Sequence, residues 1–114
     1  MGDAGRVREA EKRRKEIVAE ISRLGPAAAG SVADRFTRCQ RQGCHCQGES
    51  GELHGPYPTW TRRENGRTIT KTLQPDQVDD VRASIEARAR LRTLVRELEE
   101  VSSQLVADSL DQSR

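Results

Sequence analysis

The sequence predicts an α+β fold in which two long amphipathic helices, paired as a helical hairpin or in a coiled-coil-like manner, flank a small cysteine-rich knuckle and a β-hairpin. Three observations carry that prediction. Apolar residues recur in steps of three and four near both ends of the chain, a Cys-, His- and Gly-rich stretch separates those two regions, and an Asn65-Gly66 pair joins two runs rich in strand-forming residues. With 114 residues the chain has the size of one domain, expected over 1–114. Hydrophobic residues make up 33% and charged residues another 33%, so apolar material for a large core is scarce. Long packed helices, oligomerisation or a bound ion would have to supply part of the stability.

The first helix is expected over 7–24. Val7, Ala10, Ile17, Ile21 and Leu24 form one stripe, with Arg14 filling the missing slot, and Gly25-Pro26 ends it with a left-handed cap followed by a residue that cannot continue the ladder. Residues 26–34 are small and read as a connector. The stretch 35–74 then holds the knuckle and the hairpin. Asn65-Gly66 suits the two positive-φ positions of a type I′ turn and sets the register. Glu64 faces Arg67, Arg62 faces Ile69, Trp60 faces Lys71 and Pro58 faces Leu73 on the apolar side. Arg63 with Thr68, Thr61 with Thr70 and Thr59 with Thr72 make a polar side that is expected to meet water or a ligand. Pro75 and Asp76 open the second helix, expected over 75–106, with Asp79 and Asp80 complementing its dipole. Its apolar positions are Val78, Val81 and Ile85, then Leu91, Leu94, Leu98, Val101 and Leu105. Residues 107–114 are expected to form a tail. Because this helix is longer than the first, the stripe Leu91, Leu94, Leu98, Val101 and Leu105 is expected to serve as an oligomer interface.

No run of about 18 apolar residues occurs and the N-terminal stretch has no apolar signal region, so a cytoplasmic protein with no membrane span is expected. Three cysteines without a secretory signal point to metal ligation before a disulfide framework. The array is C-x4-C-x-C-x7-H, formed by Cys39, Cys44, Cys46 and His54, and thiolate and imidazole donors suit zinc. Four such ligands close the coordination shell, which is the arrangement of a structural site. His45 is a rival fourth ligand, although its place between two ligating cysteines would turn it away. Free thiols in an open loop are the plain alternative. A Cys44–Cys46 disulfide would close a very small, strained ring.

Charge is uneven, with +4 over residues 35–71 and −3 over 72–114. Arg35, Arg38 and Arg41 precede or enter the knuckle, and Arg62, Arg63, Arg67 and Lys71 lie on the hairpin near Tyr57 and Trp60. Such a basic ribbon fits phosphates, and its rings fit bases, so nucleic acid is the expected partner, DNA more than RNA. The bland reading makes the two aromatics core anchors and the arginines solvated. Arg88, Arg92 and Arg96 recur every four residues, but Glu99 and Glu100 continue that surface with opposite sign, as a solvated face would. No phosphate-cradling loop, nucleophile elbow or H-E-x-x-H occurs, and an enzyme is not expected.

The segments Cys39-Gln-Arg-Gln-Gly43-Cys44-His-Cys46 and His54-Gly55-Pro56-Tyr57 resemble a bacterial family of small proteins known only as a domain of unknown function. Its pattern runs G-S-x-x-x-R-x-x-x-C, C-G-x-x-G-C-x-C, G-H-G-P-Y, a basic hairpin and a terminal helix. Gly30, Ser31 and Arg35 fit the lead, Gln40 stands where Gly is usual, and Leu53 replaces the Gly before His54. The resemblance covers roughly residues 25–106 and implies a metal-binding helper protein associated with mobile elements. Together these readings predict a zinc-stabilised nucleic-acid-binding accessory to DNA transactions or transcription. The alternative is an interaction module that forms a homodimer, or docks on a larger protein through its second helix, with zinc purely structural.

Overall fold

A computed structural model of the chain describes residues 2–39, 41, 43–44, 46, 51 and 53–112. In order, the elements are α1 (Gly2–Arg23), β1 (Ser31–Thr37), β2 (His54–Glu64), β3 (Arg67–Thr72), a 3-10 turn (Pro75–Gln77) and α2 (Val78–Gln112). The fold is α+β, with two helices and one three-stranded antiparallel sheet in the order β1-β2-β3. Residues 1–27 with 86–114 form one compact unit, and residues 28–85 form the other.

In the helical unit, Ile17 and Leu94 are fully buried and Ala10 is nearly so, while Val7, Ile21, Leu24, Leu91, Leu98, Val101 and Leu105 are half-buried. Among the described residues, ion pairs cross between the helices from Arg6 to Asp108 at 3.3 Å, from Arg13 to Glu97 at 2.7 Å and from Arg90 to Glu20 at 2.6 Å. As the α1 partner moves toward the C-terminus, its α2 partner moves toward the N-terminus, so α1 runs antiparallel to the later part of α2. Leu94 is covered within the chain, and Leu98, Val101 and Leu105 lie beside the first half of α1 and are half-buried. One sequence expectation is corrected. Arg13 occupies the half-buried slot of α1, whereas Arg14 is exposed.

Both helices also overrun their expected limits at the same end. α1 starts at Gly2, ahead of Val7, and α2 continues through 107–112, which was expected to be a tail. No Gly or Pro stops α2 after Val106, and Arg6–Asp108 ties the two extensions together, each turn supporting the other. At the opposite end of α2, Pro75–Gln77 forms a 3-10 turn before the α-helix begins. There the Gln77 amide donates to the Gln74 carbonyl at 2.9 Å, and the Gln74 amide donates to Gln77 Oε1 at 2.8 Å.

The sheet unit contains a strand where a connector was expected. β1 takes Ser31–Thr37 and pairs antiparallel with β2, Ser31 opposite Thr61 and Arg35 opposite Tyr57, with an irregularity between Arg35 and Thr37. Only Val32 and Thr37 of β1 are even half-buried, so the strand lacks the apolar alternation by which strands are recognised. Backbone pairing with β2 makes it a strand. Gly30 leads in at φ 112°, where a Cβ would meet the Thr61 carbonyl and stand 2.8 Å from Trp60 Nε1, so a side chain would push β1 off its neighbour. β2 and β3 pair in the register that the Asn65-Gly66 turn implies, from Glu64 opposite Arg67 to Thr59 opposite Thr72, and Asn65 and Gly66 take φ 51° and 77°. The Leu73 amide donates to the Pro58 carbonyl at 2.8 Å, extending that pairing, and Leu73 is buried. Trp60 anchors the sheet: its Nε1 donates to the Ala29 carbonyl at 2.9 Å and the Arg62 guanidinium lies 4.1 Å from its ring centre.

Candidate metal centre and sheet face

The described residues of the loop between β1 and β2 are held by polar contacts. The Cys44 amide donates to the Arg41 carbonyl at 3.3 Å, closing a turn in which Gly43 takes φ 80°, a conformation that suits glycine. Arg38 donates from Nη1 to the Cys46 carbonyl, and the Cys39 amide donates to Cys46 Sγ at 3.3 Å. These contacts bring Arg38 and Cys39 to Cys46 while β2 delivers His54 at its first residue.

Cys39, Cys44, Cys46 and His54 converge, with their ligand atoms all within 4.8 Å of one another. Cys39 Sγ lies 3.5 Å from Cys46 Sγ, and Cys44 Sγ lies 3.1 Å from His54 Nε2. Tetrahedral bonds of about 2.3 Å to sulfur would set neighbouring donors about 3.8 Å apart, so a small adjustment of the thiols would fit them around one ion. Cys46 is fully buried and the other three ligands are half-buried, a cluster shielded without being sealed. Three cysteines and a histidine are thus close enough to hold a metal ion. His45, the rival ligand, lies outside the described residues.

Electrostatics prepare one of the thiols. A hydrogen bond from the Cys46 backbone, then one from the Cys39 thiol, lowers Cys44 to about 6 against the opposing effect of burial. For Cys39 the Arg41 backbone acts to lower the value, but the hydrogen bond to Cys44, burial and the hydrogen bond to Cys46 together raise it above the ordinary thiol range. The lowered value favours the thiolate form of Cys44, which is the form that ligates a cation.

The basic residues do not gather on one surface. Arg35 and Arg63 share one face of the sheet with Ser31, Ala33, Tyr57, Thr59, Thr61, Thr68, Thr70 and Thr72, as the strand register requires. Among the described residues that face contains no carboxylate, and all of the residues just named except Thr59 and Thr61 are exposed. Arg62, Arg67 and Lys71 lie on the opposite face with Asp34 and Glu64. There Arg62 is committed, donating from Nε to Glu64 at 2.8 Å and covering Trp60. Arg63 donates to the Gly66 carbonyl at 3.0 Å, and Arg41 lines a cleft with Thr37, Cys39, Cys44, His54 and Tyr57. The sequence pattern does not mark the face that Ser31, Ala33 and Arg35 share, because residues 31–34 lack apolar alternation and read as part of the 26–34 connector. Their period-two spacing was the available signal.

The model of the family described as Domain of unknown function (DUF6788) matches residues 7–83. The chain belongs to this family. The matched segment takes in most of α1, the whole sheet and all four candidate ligands, and stops six residues into α2, whereas the resemblance in sequence was expected over roughly 25–106. The match therefore extends over most of α1 and ends in the first turns of α2. No curated protein and no solved structure matches the chain. Among the described residues, no helix is long and apolar enough to cross a membrane.

Proposed function

We propose that this chain is a small zinc-stabilised nucleic-acid-binding accessory protein of DNA transactions or transcription, and that it is not an enzyme. Three thiols and an imidazole favour zinc among biological cations, and a closed shell of four protein ligands leaves no position for a reacting water, which favours a structural role. The ion would hold the β1–β2 loop, and through it the edge of the sheet.

The observation that carries the binding function is the sheet face on which no described residue is a carboxylate. Arg35 and Arg63 stand at opposite ends of it, with rows of hydroxyls between them. Guanidinium groups and hydroxyls are the ordinary donors to phosphate and sugar oxygens, and a face without acidic groups does not repel the backbone. Of the seven basic residues first considered, Arg35, Arg63 and, beside the metal loop, Arg41 are favoured. Arg38 and Arg62 have structural work, and Arg67 and Lys71 face the other way.

The test is binding of the metal-loaded chain to nucleic acid over a range of salt. The logarithm of affinity should fall linearly with the logarithm of salt, and Arg35→Ala with Arg63→Ala should reduce the slope by about two units while leaving about one zinc per chain. Absence of any binding at low salt would reject the function. A second reading, homodimerisation through α2, is supported by exposed Val95, Val106 and Leu110. It requires a concentration-dependent mass in sedimentation that Val106→Asp with Leu110→Asp abolishes.

A further inference from the structure

We infer that the sheet face takes single-stranded nucleic acid, with bases stacked on Tyr57 and Phe36 beside the metal loop. The inference rests on the nucleic-acid reading above and narrows it to one form of the ligand.

The chain has only three aromatic residues, Phe36, Tyr57 and Trp60. Trp60 is engaged inside the sheet unit through Ala29 and Arg62. The other two are exposed, Phe36 by 53% and Tyr57 by 40%, in a protein whose apolar material is scarce. An isolated exposed aromatic calls for no explanation, but these two are neighbours. Tyr57 is paired with Arg35, the residue before Phe36. Phe36 lies at the irregularity in β1, and its Cδ1 is 3.1 Å from where a Cβ would stand on Gly55, two residues from Tyr57 on β2. Alternation from Arg35 alone would set Phe36 on the face opposite Tyr57, and the irregularity between Arg35 and Thr37 is what would turn its ring toward Tyr57. Gly55, at φ 134°, leaves open the space in which the ring sits. Beside Tyr57 runs the cleft lined by Thr37, Arg41, Cys39, Cys44 and His54, so a guanidinium and a hydroxyl border the tyrosine ring.

The shape of the face selects the ligand. Two intervals of about 4.8 Å separate the axes of the outer strands, and with side chains a three-stranded face is broader than the roughly 12 Å major groove, which admits a helix or a two-stranded ribbon. Bases in a duplex are also stacked on each other and unavailable to protein rings. Bases of a single strand can be splayed onto aromatic side chains, and stacking tolerates any sequence. From Tyr57 to Arg63 the central strand runs about 20 Å, room for a few nucleotides between the stacking end and the far guanidinium.

The experiment measures binding of the metal-loaded full chain to a labelled mixed-sequence DNA single strand, the same sequence as RNA, and the corresponding DNA duplex. At least about tenfold tighter binding to one of the single strands than to the duplex is expected, and the DNA-to-RNA ratio identifies the preferred sugar. Tyr57→Leu and Phe36→Leu keep apolar bulk and remove the rings. Each should weaken single-strand binding by about tenfold and leave duplex binding unchanged, and Tyr57→Phe should restore affinity. Metal content and circular dichroism of each variant establish that it is folded, and quenching of tyrosine fluorescence by the single strand, lost in Tyr57→Phe, reports the stack without relying on affinity. Equal or tighter duplex binding, unmoved by the ring substitutions, would overturn this inference and leave nucleic-acid binding standing. Failure to bind any of the three at low salt would overturn both.

Discussion

In the helical unit the most deeply buried side chains are Ile17 and Leu94, whereas in the sheet unit they are Cys46 and Leu73, with Thr59 close behind. The first unit is built as helices usually are, by an apolar stripe on each partner with ion pairs along its flanks. The second has a thiol and a hydroxyl among its best-buried groups, and its order comes from backbone pairing, the Trp60 anchor and the convergence of Cys39, Cys44, Cys46 and His54. The contrast teaches that two units of one short chain reach order by different physics. One gains from removing apolar area from water, and the other depends on polar bonds that an ion can complete.

Removing the proposed metal should break that comparison most severely. Structural zinc contributes on the order of 10 kcal/mol of apparent binding free energy in small domains, so chelation, or Cys44→Ser, should disorder the β1–β2 loop and weaken the sheet. The helical signal in far-ultraviolet circular dichroism should survive largely intact. Retention of amide-exchange protection in β1 and β2 without metal would contradict it.

Leu94→Ala addresses the other unit. Truncating a fully buried leucine costs about 2–5 kcal/mol, so thermal or urea unfolding of the helical signal should shift well downward while zinc content stays constant.

A smaller effect of opposite sign is expected at Asp108. It stands where the series Leu94, Leu98, Val101, Leu105 would place its next apolar residue, and its Oδ2 is buried without a hydrogen-bond partner among the described residues. Replacing a buried, incompletely satisfied carboxylate by an apolar group often stabilises, and Asp108→Leu should raise stability by about 1 kcal/mol despite losing the contact with the exposed Arg6. A clear loss of stability would mean that the Arg6 pair outweighs the buried oxygen.

Least should change at Glu20 and Arg90, an exposed bidentate pair with distances of 2.6 and 3.0 Å. The Arg90 hydrogen bond holds the Glu20 carboxyl below its ordinary value. Its contribution is therefore present above the unfolded carboxylate value and lost as pH falls through the lower folded one. Glu20→Gln should remove that acid-range dependence, and the difference from the parent chain should shrink in high salt.

Much of this architecture was readable in advance where the deciding forces are local. The four-step and three-step recurrence of Val7, Ala10, Ile17 and Ile21 already names the covered side of α1, and Asn65-Gly66 alone implies the β2–β3 register, because only one turn geometry suits that pair. The spacing of Cys39, Cys44, Cys46 and His54 likewise names donors that one ion can share, since ligand chemistry is carried by residue type. Tertiary structure decided the rest. β1 has almost no apolar alternation and becomes a strand only because β2 offers it backbone partners, and that pairing alone gathers Arg35, Tyr57 and the threonines on one face while turning Arg67 and Lys71 to the other. The antiparallel alignment of the helices has the same origin: Arg13, Glu97, Arg6 and Asp108 look like solvated charges until the chain brings them together, because pairings across 84 and 102 residues leave no periodic trace in the sequence.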